Sequence, residues 1–213
     1  MMPQPIFKIA VVLNTLIVVI ILALRLLPND DISIRTLLLP PDGCAAPCFM
    51  NIRAGVTDMV EASAIVKTHT WSKSLPFLLK PINDMSTRFI LWQWSGKQSP
   101  LVDTRRQGQI RFNGNQAVGV IVQTTIPLGA VWLALGATDK GRLALSELRP
   151  SSDVTLTAVY PAASLLVRVT IPAHSSQTAL WLSRVEIESS NTQAVASLAG
   201  YPLPSFAKLQ GHS

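Results

Sequence analysis

The chain has 213 residues, of which 48% are hydrophobic and 14% charged, and its formal net charge at neutral pH is +6. This length allows one domain of ordinary size, or two small units sharing a core, and it is long enough to bury a core without help from metals or many disulfides. No long acidic, basic or single-residue tract is present, which excludes a largely disordered chain.

The first predicted element is a hydrophobic helix. Residues Ile6 to Leu27 read IFKIAVVLNTLIVVIILALRLL, with Lys8 and Arg25 as the only charges, one near each end. At 1.5 Å per residue this helix would be about 33 Å long, enough to cross a hydrocarbon core of about 30 Å. We therefore predict a transmembrane anchor over residues 1–28 that contacts membrane lipid. Its one other polar residue of note, Asn14, is a candidate for hydrogen bonding to a neighbouring helix.

A cleavable signal peptide and a lipoprotein are the alternatives to a retained anchor. A signal peptide would have a shorter apolar region, of about 7 to 15 residues, and an A-x-A-like site after it. A lipoprotein is disfavoured because the first cysteine, Cys44, follows Pro-Asp-Gly. Basic residues lie on both sides of the segment, so the positive-inside rule leaves its orientation open. We predict a single-pass cell-membrane protein whose C-terminal part is extracytoplasmic, because the N-terminal tail is short and a cysteine pair suits an oxidising compartment.

A stalk or linker is predicted at residues 29–43, and the two cysteines follow it directly. Cys44 and Cys48 are predicted to form a short-range disulfide that closes a small loop at the start of the folded region. On this interpretation the pair has a structural role.

A metal or thiol-redox protein using Cys44 and Cys48 is the alternative. A C-x-x-x-C motif on a membrane-anchored domain is similar to that of copper-delivery proteins with a thioredoxin-like fold, in which a distant histidine completes the site. Here the cysteines follow a proline-rich linker instead of a strand, and His69, His174 and His212 are scattered along the chain. Four-ligand zinc binding lacks its ligands as well. We expect no metal and no cofactor.

The folded region is predicted to be α+β, with two tandem helix-plus-antiparallel-sheet units at residues 44–124 and 125–190 and a loosely structured tail at 191–213. In the first unit Thr57 is expected to cap a helix that ends near His69. In the second, an apolar segment from Val131 to Leu135 ends at Gly136. In the helix of the first unit, Val60, Ala64 and Ile65 are predicted to fall on one face. Strands are predicted at Arg88 to Ser95, Gln109 to Phe112, Gln116 to Thr124, Arg142 to Leu148, Val154 to Tyr160, Ser164 to Ile171 and Leu180 to Glu188.

The last of these strands alternates charged and apolar residues, which is typical of a half-exposed or edge strand. Earlier in the chain, Asn113-Gly114-Asn115 predicts the turn of a hairpin between two strands.

Two short motifs carry a resemblance to known families. The start Ile52-x-x-Gly55-x-Thr57 and the later Leu128-Gly129…Leu135-Gly136 segment resemble the helix openings of SmpA/BamE-like and β-lactamase-inhibitor-protein-like modules. The start Cys44-x-x-Pro47-Cys48 also resembles that of membrane-anchored bacterial proteins of uncharacterised function, whose usual proline before the glycine is Ala54 here. The resemblance covers roughly residues 44 to 171 and implies a concave sheet with helices packed behind it.

No catalytic residue is predicted. The sequence has no G-x-S-x-G motif and no phosphate-binding glycine loop, and its acidic residues are spread thinly. Nucleic acid is not an expected partner either, because the aromatic residues do not alternate with basic ones. The sequence indicates a binding or assembly module that contacts an envelope protein or a peptide.

The candidate partner-binding residues are Trp92 and Trp94, which share one face of a predicted strand, with Phe89 and Leu91 on the other face. One face must be core, so the tryptophans form an interaction surface only if they point outward. Trp71, Trp132 and Trp181 are expected to be core.

A second feature is a basic stretch that contains Asp84 and Asp103 as its only acidic residues and is either a solvated face or a surface for an anionic partner. Its basic residues are Lys67, Lys73, Lys80, Arg88, Lys97, Arg105, Arg106 and Arg111.

Overall fold

The structure is a computed structural model that describes residues 12–19, 31–41, 43–73, 77–79, 87–146, 153–172 and 175–200. The chain divides into two compact units, Met1–Ile32 and Ser33–Ser213. In the first unit, helix α1 is described over residues 12–19. Over the described ranges, no helix combines the length and the apolar character needed to cross a membrane.

The predicted fold class is therefore wrong in its transmembrane helix. The remaining parts of the predicted anchor, residues 1–11 and 20–28, lie outside the described residues.

The second unit has an α+β fold with an eight-stranded antiparallel sheet and short helices. Its helices are α2 (Asp31–Leu38, which begins just before the unit), α3 (Met59–Thr68), α4 (Leu128–Leu135), α5 (Gln177–Leu182) and α6 (Thr192–Ala199). A small hairpin is formed by β1 (Cys48–Phe49) and β2 (Ile52–Arg53). The strands of the large sheet are β3 (Phe77–Leu79), β4 (Thr87–Trp92), β5 (Gly108–Asn113), β6 (Gln116–Pro127), β7 (Gly141–Ser146), β8 (Asp153–Tyr160), β9 (Leu165–Pro172) and β10 (Arg184–Ser190).

The eight strands lie in the order β3-β4-β5-β6-β10-β9-β8-β7. Each half is a four-stranded meander, and the halves are joined where β10 pairs antiparallel with β6. The predicted tandem units are thus two halves of one sheet within one compact unit. The strand predicted over Leu180 to Glu188 starts too early, because Leu180 to Leu182 belong to α5 and β10 begins at Arg184. Of its two predicted positions, the edge of the sheet is wrong, because β10 lies at the centre.

One face of the sheet carries the main core and is covered by helices α2 to α5. Ile110, Val122 and Ile187 of the central strands are almost fully buried there, together with Ala62 of α3 and Val131 of α4. This face holds nearly all the buried apolar area, so the hydrophobic stabilisation of the fold is concentrated on it.

The other face of the sheet is polar over much of its area, and among the described helices only α6 packs on it. Val195 of α6 contacts Val159 of β8 and Leu166 of β9, all three nearly fully buried. The tail predicted to be loosely structured from residue 191 therefore contains a helix, and residues 201–213 lie outside the described range.

Helix α3 begins one residue later than predicted. Asp58, and not Thr57, is the N-cap, because its carboxylate accepts a hydrogen bond from the N–H of Glu61 at 2.8 Å. Thr57 instead accepts from the N–H of Arg53 through its hydroxyl. The buried residues of α3 are Ala62 and Val66. Of the predicted apolar face, Val60 is 75% exposed, whereas Ile65 is half-buried and packs against the main core.

The predicted stalk contains helix α2. Ile34, Leu37 and Leu38 of this helix belong to the main core, each less than 7% exposed. These residues therefore fix the segment that precedes Cys44 to the folded unit.

Candidate functional site

The two candidate partner-binding tryptophans are buried. Trp92 is 0% exposed and Trp94 is 7% exposed, and their rings lie 5.2 Å apart in an edge-to-face arrangement. Ile90 and Trp92 share the core face, while Phe89 and Leu91 lie on the polar face opposite Arg111 and Gln109. The interpretation that Trp92 and Trp94 present an exposed binding surface is therefore not supported by their position.

Of the three tryptophans expected to be core, two are half-buried and pack against the main core, Trp71 and Trp132. Trp181 is 41% exposed, so the expectation is wrong for this residue. Its ring contacts that of Trp132, with centroids 5.5 Å apart.

Trp94 positions a loop that reaches the polar face. Its indole Nε1–H donates a hydrogen bond to the carbonyl of Arg106 at 2.8 Å. On the other side, the N–H of Ser95 donates to the carbonyl of Trp71. Because Trp94 is itself held in the core, its bond to Arg106 fixes the backbone of the loop that carries Arg105 and Arg106.

This loop forms one wall of a groove at one end of the polar face. Two adjoining cavities share Gln93, Arg105, Arg106 and Gln107. The first, about 610 Å³, extends over the sheet to Gln109 of β5 and Gln123 of β6. The second, about 440 Å³, extends to Lys73 and the edge of Trp94. We call the combined surface the glutamine–arginine groove.

The groove is electropositive. Arg105 forms a bidentate ion pair with Asp103, in which Nε and Nη2 donate to the two carboxylate oxygens at 2.9 and 3.0 Å. This hydrogen bonding lowers the pKa of Asp103 and raises that of Arg105. Arg184 Nη1 lies 3.9 Å from the same carboxylate. Among the described residues no carboxylate pairs with Arg106.

Beyond the groove, the middle of the polar face holds a network of two arginines and two glutamates. Glu188 of β10 is 0% exposed and lies between Arg111 of β5 and Arg168 of β9, with nitrogen–oxygen distances of 2.5 Å to each. Arg168 also pairs with Glu186 at 3.0 Å, and Glu186 accepts a hydrogen bond from the side-chain amide of Gln123. The network thus connects the centre of the sheet to the groove.

The charges of this network are balanced, and a glycine makes space for it. Burial alone would lower the pKa of Arg168, but the charges of Glu188 and Glu186 and their hydrogen bonds raise it, and the net direction is upward. Opposite β10, Gly119 of β6 has no side chain, and a Cβ there would overlap the carboxylate of Glu188. The buried carboxylate therefore depends on a glycine at this position.

Cys44 and Cys48 are joined by a disulfide, with an S–S distance of 1.95 Å and Cα atoms 6.0 Å apart. The bond closes the loop that leads into β1, and Cys48 is buried. His69, at the C-terminal end of α3, accepts a hydrogen bond from the N–H of Trp71 through Nδ1, and partial burial lowers its pKa. In the part of the chain that the structure describes, no three His, Cys, Asp or Glu side chains are grouped to hold a metal ion.

The predicted basic stretch is divided by the fold. Lys73, Arg105 and Arg106 line the groove, Arg111 belongs to the buried network, and Lys67 is on α3. Lys80 lies outside the described residues. The four glutamines of the groove were not predicted from the sequence to be site residues. Their signal was present in part, because Gln109 and Gln123 are polar positions that alternate with buried ones in β5 and β6.

The chain was compared with protein-family models, with curated proteins and with solved structures, and none of these comparisons finds a match. The resemblance to SmpA/BamE-like and β-lactamase-inhibitor-protein-like modules therefore remains a prediction.

Proposed function

We propose that this protein is an extracytoplasmic binding module that holds a peptide segment of another envelope protein on the polar face of its sheet. The observation that carries the proposal is the glutamine–arginine groove. It lies on the face that the described helices leave largely uncovered, whereas helices α2 to α5 pack on the other face.

The side chains of the groove suit a peptide backbone. A glutamine amide has both donors and an acceptor, so Gln93, Gln107, Gln109 and Gln123 can match the N–H and C=O groups of an extended segment. The wall of the groove is already fixed by the hydrogen bond from Trp94 to Arg106. A preformed wall lowers the entropic cost of binding.

We propose binding and not catalysis. The described residues that line the groove carry amide, guanidinium, ammonium, hydroxyl and indole groups. General acid–base catalysis works best with a group whose pKa is near the operating pH, and arginine and glutamine do not provide one. The groups in the groove are suited to hold and orient a ligand.

Photo-crosslinking tests the proposal. The full chain, purified in mild detergent, is given a photo-reactive amino acid at Gln93, which is exposed in the groove, and is incubated with a library of short random-sequence peptides. A matched variant carries the same group at Val60, which is 75% exposed on α3 behind the other face. We expect peptide adducts at Gln93 and only background at Val60. Equal labelling at both positions, or none at Gln93, would contradict the proposal.

We further propose that the folded unit lies outside the cytoplasm, because stable disulfides persist in oxidising compartments and Cys44 and Cys48 form one. In intact cells, we expect a membrane-impermeant maleimide to label the chain only after treatment with a membrane-impermeant reductant. Cys44 is half-buried and Cys48 buried, so Cys44 should react first. A variant with both cysteines changed to serine is the blank. Labelling without reduction, or only after lysis, would rule out this location.

A further inference from the structure

The cations of the glutamine–arginine groove are not evenly distributed. Lys73, Arg105 and Arg106 line the second cavity, and none of the described residues lining either cavity is acidic. Arg105 is paired with Asp103, which neutralises it. Arg106 and Lys73 have no acidic partner among the described residues, so the positive charge of the groove is concentrated at this end.

The opposite end of the groove is neutral. Gln109 and Gln123 lie on adjacent strands of the sheet, and the nearby Glu186 is compensated by Arg168. A ligand that crosses the groove therefore meets amide groups at the sheet end and, at the loop end, two cations that no described carboxylate pairs with.

We propose that the groove selects an acidic peptide segment, an inference that rests on the proposed function. A Glu or Asp carboxylate of the segment lies between Arg106 and Lys73, and its neutral backbone lies over Gln109 and Gln123. Guanidinium and ammonium groups form charge-assisted hydrogen bonds with carboxylates, which are stronger than neutral ones. The Trp94 indole holds the Arg106 backbone in place, so the point from which this side chain extends is fixed before the ligand arrives.

Binding of two fluorescent peptides to the full chain tests the inference. One probe is a glycine–glutamate repeat and the other is its glycine–glutamine isostere, which has the same shape without charge. At low salt we expect the glutamate peptide to bind about tenfold more tightly, which corresponds to one charge-assisted hydrogen bond. This preference should decrease as salt is added, because the groove is open to solvent and its charges are screened.

Two variants locate the effect. Arg106→Gln should abolish most of the preference, with a loss of about tenfold in affinity for the glutamate peptide. Arg142→Gln makes the same charge change at an exposed residue of β7, at the far end of the sheet, and should leave the affinity unchanged. Both arginines are exposed, so neither substitution removes a core contact. An equal loss in the two variants would mean that only net charge matters, and would overturn the inference.

A zero-length carbodiimide reaction gives an independent readout. It joins a carboxylate to a nearby amine, so the glutamate peptide should become attached to Lys73 and not to Lys67, which is exposed on α3. Attachment at Lys67 in similar yield, or tighter binding to anionic vesicles than to the peptide, would also overturn the inference.

If random peptides crosslink at Gln93 without enrichment of acidic residues, the preference for acid is wrong and the binding function stands. If no peptide labels Gln93, both are wrong.

Discussion

Replacing Gly108 with alanine is expected to lower the free energy of unfolding by about 3 kcal/mol, the upper part of the usual range for an overpacked core. Gly108 begins β5 directly opposite Trp92 of β4, and the indole ring lies against its backbone. A Cβ at this position would overlap the six-membered part of that ring. Because Trp92 is 0% exposed and its ring is rigid, either the ring or the strand must move.

Gly129→Ala is the matched control, because a Cβ there would overlap Trp181 to a similar extent. Trp181 is 41% exposed and has space to turn away, and Gly129 lies in helix α4, where alanine is the better helix former. We expect a change of less than about 1 kcal/mol for this variant. Urea unfolding followed by far-ultraviolet circular dichroism measures both. Equal losses in the free energy of unfolding would show that the mobility of the overlapped tryptophan ring does not determine the cost of the added Cβ.

The strand that holds Trp92 shows how far the sequence could predict this fold. Alternation placed Phe89 and Leu91 on one face of the strand predicted over Arg88 to Ser95, and Trp92 and Trp94 on the other. Both faces are apolar in sequence, so the pattern did not tell which one is buried. Gly108, whose missing side chain accommodates the Trp92 ring, lies on another strand, and this pairing is a long-range property of the fold.

Helix α3 shows the same ambiguity in helical form. Val60 with Ala64, and Ala62 with Val66, are both apolar pairs at a spacing of four residues, and either can form a buried face. The structure buries the second pair. Only the position of the helix over the sheet selects between them, and that position depends on contacts with residues far along the chain.

Local sequence patterns could not predict the central position of β10 either. Its alternation of Val185 and Ile187 with Glu186 and Glu188 resembles that of an edge strand exposed to water. The strand is tolerated at the centre of the sheet because two arginines neutralise its glutamates: Arg168 on the adjacent β9, and Arg111 on β5, which lies on the far side of β6. A charged strand can be predicted to be central only when its ion-pair partners are known, and these lie up to 77 residues away in sequence.

Glu188→Gln is expected to lower the free energy of unfolding by about 3 kcal/mol, the cost of leaving a partly buried charge without its partner. The substitution keeps the shape of the side chain and removes only its charge. Arg111 and Arg168 are 30% and 23% exposed, so water solvates them incompletely, and Arg111 has no other acidic partner among the described residues. The loss reports the unpaired arginines and not the net contribution of the network, since paired buried charges can be nearly neutral for stability.

The matched control for this substitution is Glu186→Gln on the same strand. Glu186 is 26% exposed and shares Arg168 with Glu188, so that arginine keeps a partner when Glu186 is neutralised. We expect a loss of less than about 1 kcal/mol, as for other solvent-accessible ion pairs. Thermal and urea unfolding of both variants measure the difference. If Glu186→Gln costs as much as Glu188→Gln, the polar face is stabilised by total charge balance. A loss confined to Glu188→Gln would instead place the stabilisation in one buried carboxylate, at the junction of the two halves of the sheet and beside the groove.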